Sequence, residues 1–164
     1  KALRENQNTL WKEVKALRES QERLWRYVRS GFEGVRRALG VSFEEYVASF
    51  IEFTLYELGY SGVKAELRKY VLHEGKVIEF NIICVEPLVV AEATLRLEST
   101  EEAEDEVRKL MERAEVASKV FGKRPLMLVL AVGNAPQEVV EKLREEASKQ
   151  GFKLILGREI KEVL

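Results

Sequence analysis

The segment ALRENQNTLWKEV, residues 2–14, returns as ALRESQERLWRYV at residues 16–28, an offset of 14 residues or two heptads. Leu3, Leu10, Leu17 and Leu24 recur every seven residues, with Gln7, Val14, Gln21 and Val28 between them. Spacings of 4, 3, 4 and 3 mark the seam of a left-handed coiled coil, with Leu at d and Gln or Val at a. A Gln in that seam costs stability unless it pairs, and it pairs most readily with its own copy in another chain. Trp11 and Trp25 fall at e and widen the apolar stripe, which continues towards Val35. Gly31 and Gly34 each weaken a helix by about 1 kcal/mol relative to Ala, so a bend is expected there. The pattern predicts a homo-oligomerisation stalk over residues 1–40, with its interface along residues 3–35. The alternatives are a long helix folded back on its own domain and a basic helix that meets nucleic-acid phosphates.

Charge separates this segment from the rest. Residues 1–40 carry ten Lys/Arg and five Glu, a net of +5, while the remainder carries 17 basic and 23 acidic residues, a net of −6. The whole chain of 164 residues is therefore near neutral at −1, which gives no general attraction for nucleic acid. A single Cys excludes an intramolecular disulfide and a thiolate-rich zinc site, and a single His excludes a multi-His site within one chain. No run approaches the ~20 apolar residues of a membrane span, so a cytoplasmic protein without membrane contact is expected. With 34% charged residues and little Gly, Cys or Met, a heat-adapted prokaryotic source fits. The chain opens on Lys1, and further residues before it are expected.

From Val41 the pattern becomes that of an α/β domain over residues 41–164. Ser42 with Glu45 reads as a capping box, and Tyr46, Phe50, Phe53, Leu55 and Leu58 give a helical period that Gly59 ends. Strand-like runs come next at about 63–72, 77–85 and 88–97, separated by short turns at His73–Lys76 and Glu86-Pro87. They imply an antiparallel meander. A helix over about 100–121 carries Val107, Leu110, Met111, Ala114, Ala117 and Phe121 on one stripe. Residues 125–132 are nearly all apolar, which suits a strand covered on both faces; a helix over 136–150 and a strand over 152–156 complete a mixed sheet.

Period-2 alternation places Glu79, Asn81 and Ile83 on one face of the second strand, and Glu92, Thr94 and Arg96 on one face of the third. Counting back from the Glu86-Pro87 turn sets Asn81 opposite Glu92. A carboxylate in the middle of Val89-Val90-Ala91-Glu92-Ala93 is costly unless paired, so Glu92 is the first candidate for chemistry or, with Arg68 or Arg96, for an ion pair. Cys84, in an apolar run, reads as core; His73, at a turn, as surface. The acids Glu101, Glu102, Glu104, Asp105 and Glu106 crowd a helix start, where they favour its dipole. Gly133-Asn134-Ala135-Pro136 reads as a strand-to-helix connection.

A helix bearing Glu, a meander with a polar residue on its second strand and Glu92-Ala93-Thr94 on its third, then helix and strand, resembles the PD-(D/E)XK nuclease superfamily, the restriction-endonuclease-like fold. The stalk plus such a domain is similar to archaeal proteins of that architecture. The resemblance implies two carboxylates that hold Mg²⁺ or Mn²⁺ and a Lys that assists the attacking water. It sets the second-strand acid on Asn81, the third-strand acid on Glu92, the Lys on Thr94 and the helix Glu on Glu45, or alternatively Glu44. The metal ligands would be Glu92 and Asn81. Asn81 and Thr94 depart from the pattern, since one brings no charge and the other no cation; Glu79, Arg96 and Lys64 are the substitutes within reach. Three readings result. The chain is an oligomer with a degenerate nuclease-like domain that binds DNA or RNA; or an active metal-dependent nuclease built on Glu92; or a coiled-coil scaffold with no nucleic-acid role.

Overall fold

The computed structural model describes residues 42–157. The stalk expected over residues 1–40, its interface over 3–35 and the last residues of the chain lie outside the described residues. Ser42 starts the first helix, α1 (Phe43–Glu57), where its Oγ accepts the Glu45 backbone N–H at 3.2 Å. That bond satisfies one of the N–H groups that a helix start leaves free. Next come three strands, β1 (Glu66–His73), β2 (Lys76–Cys84) and β3 (Val89–Arg96), then α2 (Thr100–Phe121), β4 (Met127–Asn134), α3 (Gln137–Gln150) and β5 (Lys153–Leu156).

The meander is antiparallel, while β4 joins β3 and β5 joins β4 in parallel. The result is an α/β fold with one mixed sheet of five strands in sequence order. This is the order of elements that the sequence predicts, with strand starts moved by one to three residues. The first strand begins at Glu66 and not at 63, because the Ala65 N–H is taken by the Glu52 carboxylate of α1 at 3.0 Å. Between β1 and β2 sit Glu74 and Gly75 with φ of 51° and 74°. This left-handed pair is the mirror-image turn whose twist suits a hairpin. Among the described residues no helix is long and apolar enough to cross a membrane.

Each face of the sheet has its own core. On one, Tyr46, Val47, Ile51 and Leu55 of α1 pack on Ile82, Cys84, Ala91, Val129 and Ala131. On the other, Val107, Leu110 and Ala117 of α2 and Val139 and Leu143 of α3 pack on Phe80, Ile83, Val90, Leu130 and Val132. Residues 129–132 of β4 are all buried, as expected of a strand covered on both faces.

The expected face of Glu79, Asn81 and Ile83 does not form. Ile83 and Phe80 belong to the α2 side, whereas Ile82 and Cys84 belong to the α1 side. Phe80 and Ile83 differ in parity yet share a face, so the alternation slips at Asn81. The cause lies across the ladder. Arg68, between the pairs Leu67↔Ile82 and Lys69↔Phe80, has φ of 50°. This left-handed backbone is uncommon for a residue other than Gly and turns the strand over. On the turn side of this point, Tyr70, Leu72, Val77 and Glu79 face the α1 side.

The same point ends the β2–β3 ladder, which runs from Cys84↔Val89 to Ile82↔Ala91. Further out, β2 pairs with β1 alone, and the second half of β3 pairs with β4 alone. The β1–β2 hairpin leaves the sheet at a fork, and Asn81 and Glu92 sit at its crotch.

Candidate functional site

The fork gathers the polar residues that the sequence singles out, but it divides them between two faces. On the α1 side, Asn81 Nδ2 donates to Glu44 Oε1 at 3.1 Å, and Asn81 Oδ1 accepts the Ala93 N–H at 2.8 Å. Glu44 Oε2 also accepts from Arg68 Nε at 3.2 Å. Of the two acids considered on the first helix, Glu44 is the one at the fork. Glu45 is exposed and contributes its backbone N–H to the Ser42 cap.

On the α2 side, Glu92 is buried, with 2% of its surface exposed. Its Oε2 lies 3.4 Å from Lys109 Nζ, and its Oε1 is buried with no hydrogen-bond partner. Burial raises the Glu92 carboxyl above the usual range; Lys109 and Arg113 oppose that rise and Glu106 adds to it. Its partner is therefore neither Arg68, which serves Glu44, nor Arg96, but a Lys from the next helix. Glu106, Lys109 and Arg113 lie at helical spacing on α2 and form one stripe above Glu92. That spacing is the signal by which sequence reasoning could have found them. Arg113 also donates from Nε to the Glu79 carbonyl at 2.8 Å, which ties the free edge of β2 to α2. Thr94, half-buried, is two residues beyond Glu92 on the same strand and brings no charge. The cation beside Glu92 comes from Lys109 instead.

Asn81 and Glu92 thus stand near one another along the strands, while their functional groups turn to opposite faces, to Glu44 and to Lys109. A hard divalent ion takes about six oxygens and favours carboxylates that converge. Here one carboxylate is shared by an amide and a guanidinium, and the other has an ammonium at its open side. Among the described residues no group of three or more His, Cys, Asp or Glu is placed to hold a metal. Among the described residues, Asn81 and Glu92 are held by different partners and do not converge on one point where they could share a Mg²⁺ or Mn²⁺ ion.

Other polar features have structural work. Ser99 Oγ accepts the Glu102 N–H at 3.2 Å, and the Glu102 carboxylate accepts the Glu98 N–H at 2.9 Å, so the acidic run serves the start of α2. Lys123 binds the β2–β3 turn through the Val85 carbonyl at 3.1 Å and Glu86 at 2.9 Å. Cys84 is buried, and burial, then Glu52 and Glu66, push its thiol up to about 11. A cleft of about 270 Å³ at the ends of β3 and β4 is lined by Arg96, Glu98, Asn134 and Pro136, with charges of both signs. No family model, curated protein or solved structure matches this chain significantly.

Proposed function

We propose that this chain is an oligomer whose C-terminal domain has a nuclease-like architecture without hydrolysis, and that it binds nucleic acid. The observation that carries this reading is the hydrogen bonding of Asn81. Its carbonyl is committed to the Ala93 N–H and its amide to Glu44. Used on one side to join two strands and on the other to bind the first helix, Asn81 has a structural role that supports a domain without metal chemistry. Binding would rest on the N-terminal segment, at +5, because the acidic domain repels phosphates. Several copies joined by the stalk would add weak contacts by avidity.

The test is to mix the full chain with labelled single-stranded, duplex and branched DNA and RNA, in Mg²⁺, Mn²⁺ or chelator. Retention that weakens with salt, survives chelation and yields no product is expected. Retention that needs metal, or cleavage, contradicts the reading.

One observation favours a second reading, an active nuclease built on Glu92. Its Oε1 is an acceptor with nothing to accept, and Lys109 stands where a cation is needed. Metal-dependent cleavage lost in Glu92→Gln selects it.

A further inference from the structure

Beyond the N-terminal end of α1, the α1 side of the sheet carries large apolar side chains with no cover among the described residues. Tyr70, Leu72 and Val77 on the hairpin are 61%, 73% and 69% exposed, and Leu95 on β3 is 55% exposed. The pair Leu72↔Val77 places these two side by side, with Tyr70 next along β1. Leu95 shares the α1-side face with Ala91 and Ala93 by alternation along β3. Large apolar side chains left exposed on one side of a sheet in this number are uncommon on a protein that works alone.

The position of the first helix indicates the occupant. Glu44, in the first turn of α1, touches Asn81 and Arg68 at the border of this face. Ser42, where the N-terminal 41 residues join the domain, therefore lies on the side of the exposed hairpin. In an assembly joined through that segment, this face is on the side of the domain where the joining segment leaves. The six residues closest to Ser42, Arg36-Arg37-Ala38-Leu39-Gly40-Val41, pair two cations with Leu39 and Val41, so the chain's own segment is the rival occupant that the test separates. The rim carries both signs, with Arg68 and Glu79 exposed on the same hairpin, so it can complement a copy of itself across a two-fold axis.

We infer that the face formed by Tyr70, Leu72, Val77 and Leu95 docks on the same face of a second copy of this chain. The inference rests on the oligomeric part of the proposal above. Four side chains fall short of the ~1,200 Å² that a free dimer needs. A stalk joined to the domain beside the face raises its local concentration to about the millimolar range, and a small contact then suffices.

The test uses the full chain with Leu72→Cys, and separately Val77→Cys in case the first variant fails to fold. The native Cys84 is buried and leaves the new thiol as the reactive one. Light scattering first gives the mass, and maleimide labelling and a short bis-maleimide then probe the thiol. Glu141→Cys on the exposed side of α3 is the control. The expected result is an assembly in which the thiol of Leu72→Cys labels several-fold more slowly than that of Glu141→Cys and cross-links into covalent dimers. Charging the stalk with Leu10→Glu and Leu17→Glu should release this protection. A monomeric wild type sinks both the oligomer reading and this inference. An assembly in which the Leu72→Cys thiol labels freely overturns the inference alone. Protection that persists in the monomeric stalk variant means that the chain's own N-terminal segment covers the face, and this too overturns it.

Discussion

Asn81 accepts the Ala93 backbone N–H at 2.8 Å through its side chain, beyond Ile82↔Ala91, the last β2–β3 ladder pair. A side-chain carbonyl there takes the place of the backbone carbonyl that a longer ladder would have supplied. It holds the two strands together at the point where they separate. An unpaired N–H in this half-buried position would cost about 1–3 kcal/mol. Asn81→Ala is therefore expected to lose that much stability in chemical denaturation. Asn81→Asp keeps the acceptor but sets a second carboxylate against Glu44. It should be less stable than wild type at neutral pH and regain stability as the pH falls. Equal stability of all three proteins at neutral pH would contradict this role for Asn81.

Glu92 should make stability depend on pH in a definite direction. Glutamates in unfolded chains titrate near about 4.3. Burial lifts the folded-state value above that. The folded protein thus holds this proton more tightly than the unfolded chain does, and stability falls as the pH rises through the raised value. The contribution is fully present below the unfolded value and absent above the folded one. Glu92→Gln removes the charge and keeps the shape. Its stability relative to wild type should improve as the pH rises from about 4, because Gln has no charge to bury and the half-exposed Lys109 left behind keeps contact with water. Urea denaturation of both proteins at rising pH measures it, and a difference that does not change with pH would count against a raised carboxyl.

Arg113 ties the outer half of the hairpin through the Glu79 carbonyl. Arg113→Ala should loosen residues 70–79 while the cores on both sheet faces persist. Hydrogen exchange is expected to show faster amides in this stretch alone, with a global cost of about 1 kcal/mol. Uniform acceleration across the domain would show that Arg113 supports the whole fold.

Gly133 lies where β4 passes close to β3. A Cβ there would come 2.6 Å from the Leu95 carbonyl oxygen and 3.2 Å from Leu95 Cδ1. The first contact is with backbone and cannot yield by side-chain rotation. Gly133→Ala should cost about 1–3 kcal/mol in thermal or urea unfolding. An unchanged melting temperature would mean that the two strands part there without penalty.

The regular elements are legible in the sequence because their signals are local. The long helix is bounded by the Ser99 cap and by Gly122 with φ of 65°, and the expected range of about 100–121 is the observed one. The run of β4 announces its burial by composition. The fork is not legible, because its origin is the left-handed backbone of Arg68. An Arg carries none of the signal that a Gly would give there. Simple alternation carried past that point puts Glu79, Asn81 and Ile83 on one face, where the structure divides them. Glu92 stands out as a carboxylate among apolar neighbours, and it is buried as that setting requires. Its cation cannot be read from the strands, because Lys109 reaches it from the next helix.

The most direct test of a fork without hydrolysis is Mn²⁺ binding to the full chain, monitored by paramagnetic resonance of the free ion and by the shift in melting temperature. The wild type should take up no ion saturably and should melt at the same temperature with or without Mn²⁺. Saturable uptake that stabilises the wild type, and that disappears in Glu92→Gln, would contradict this and return the fork to metal chemistry.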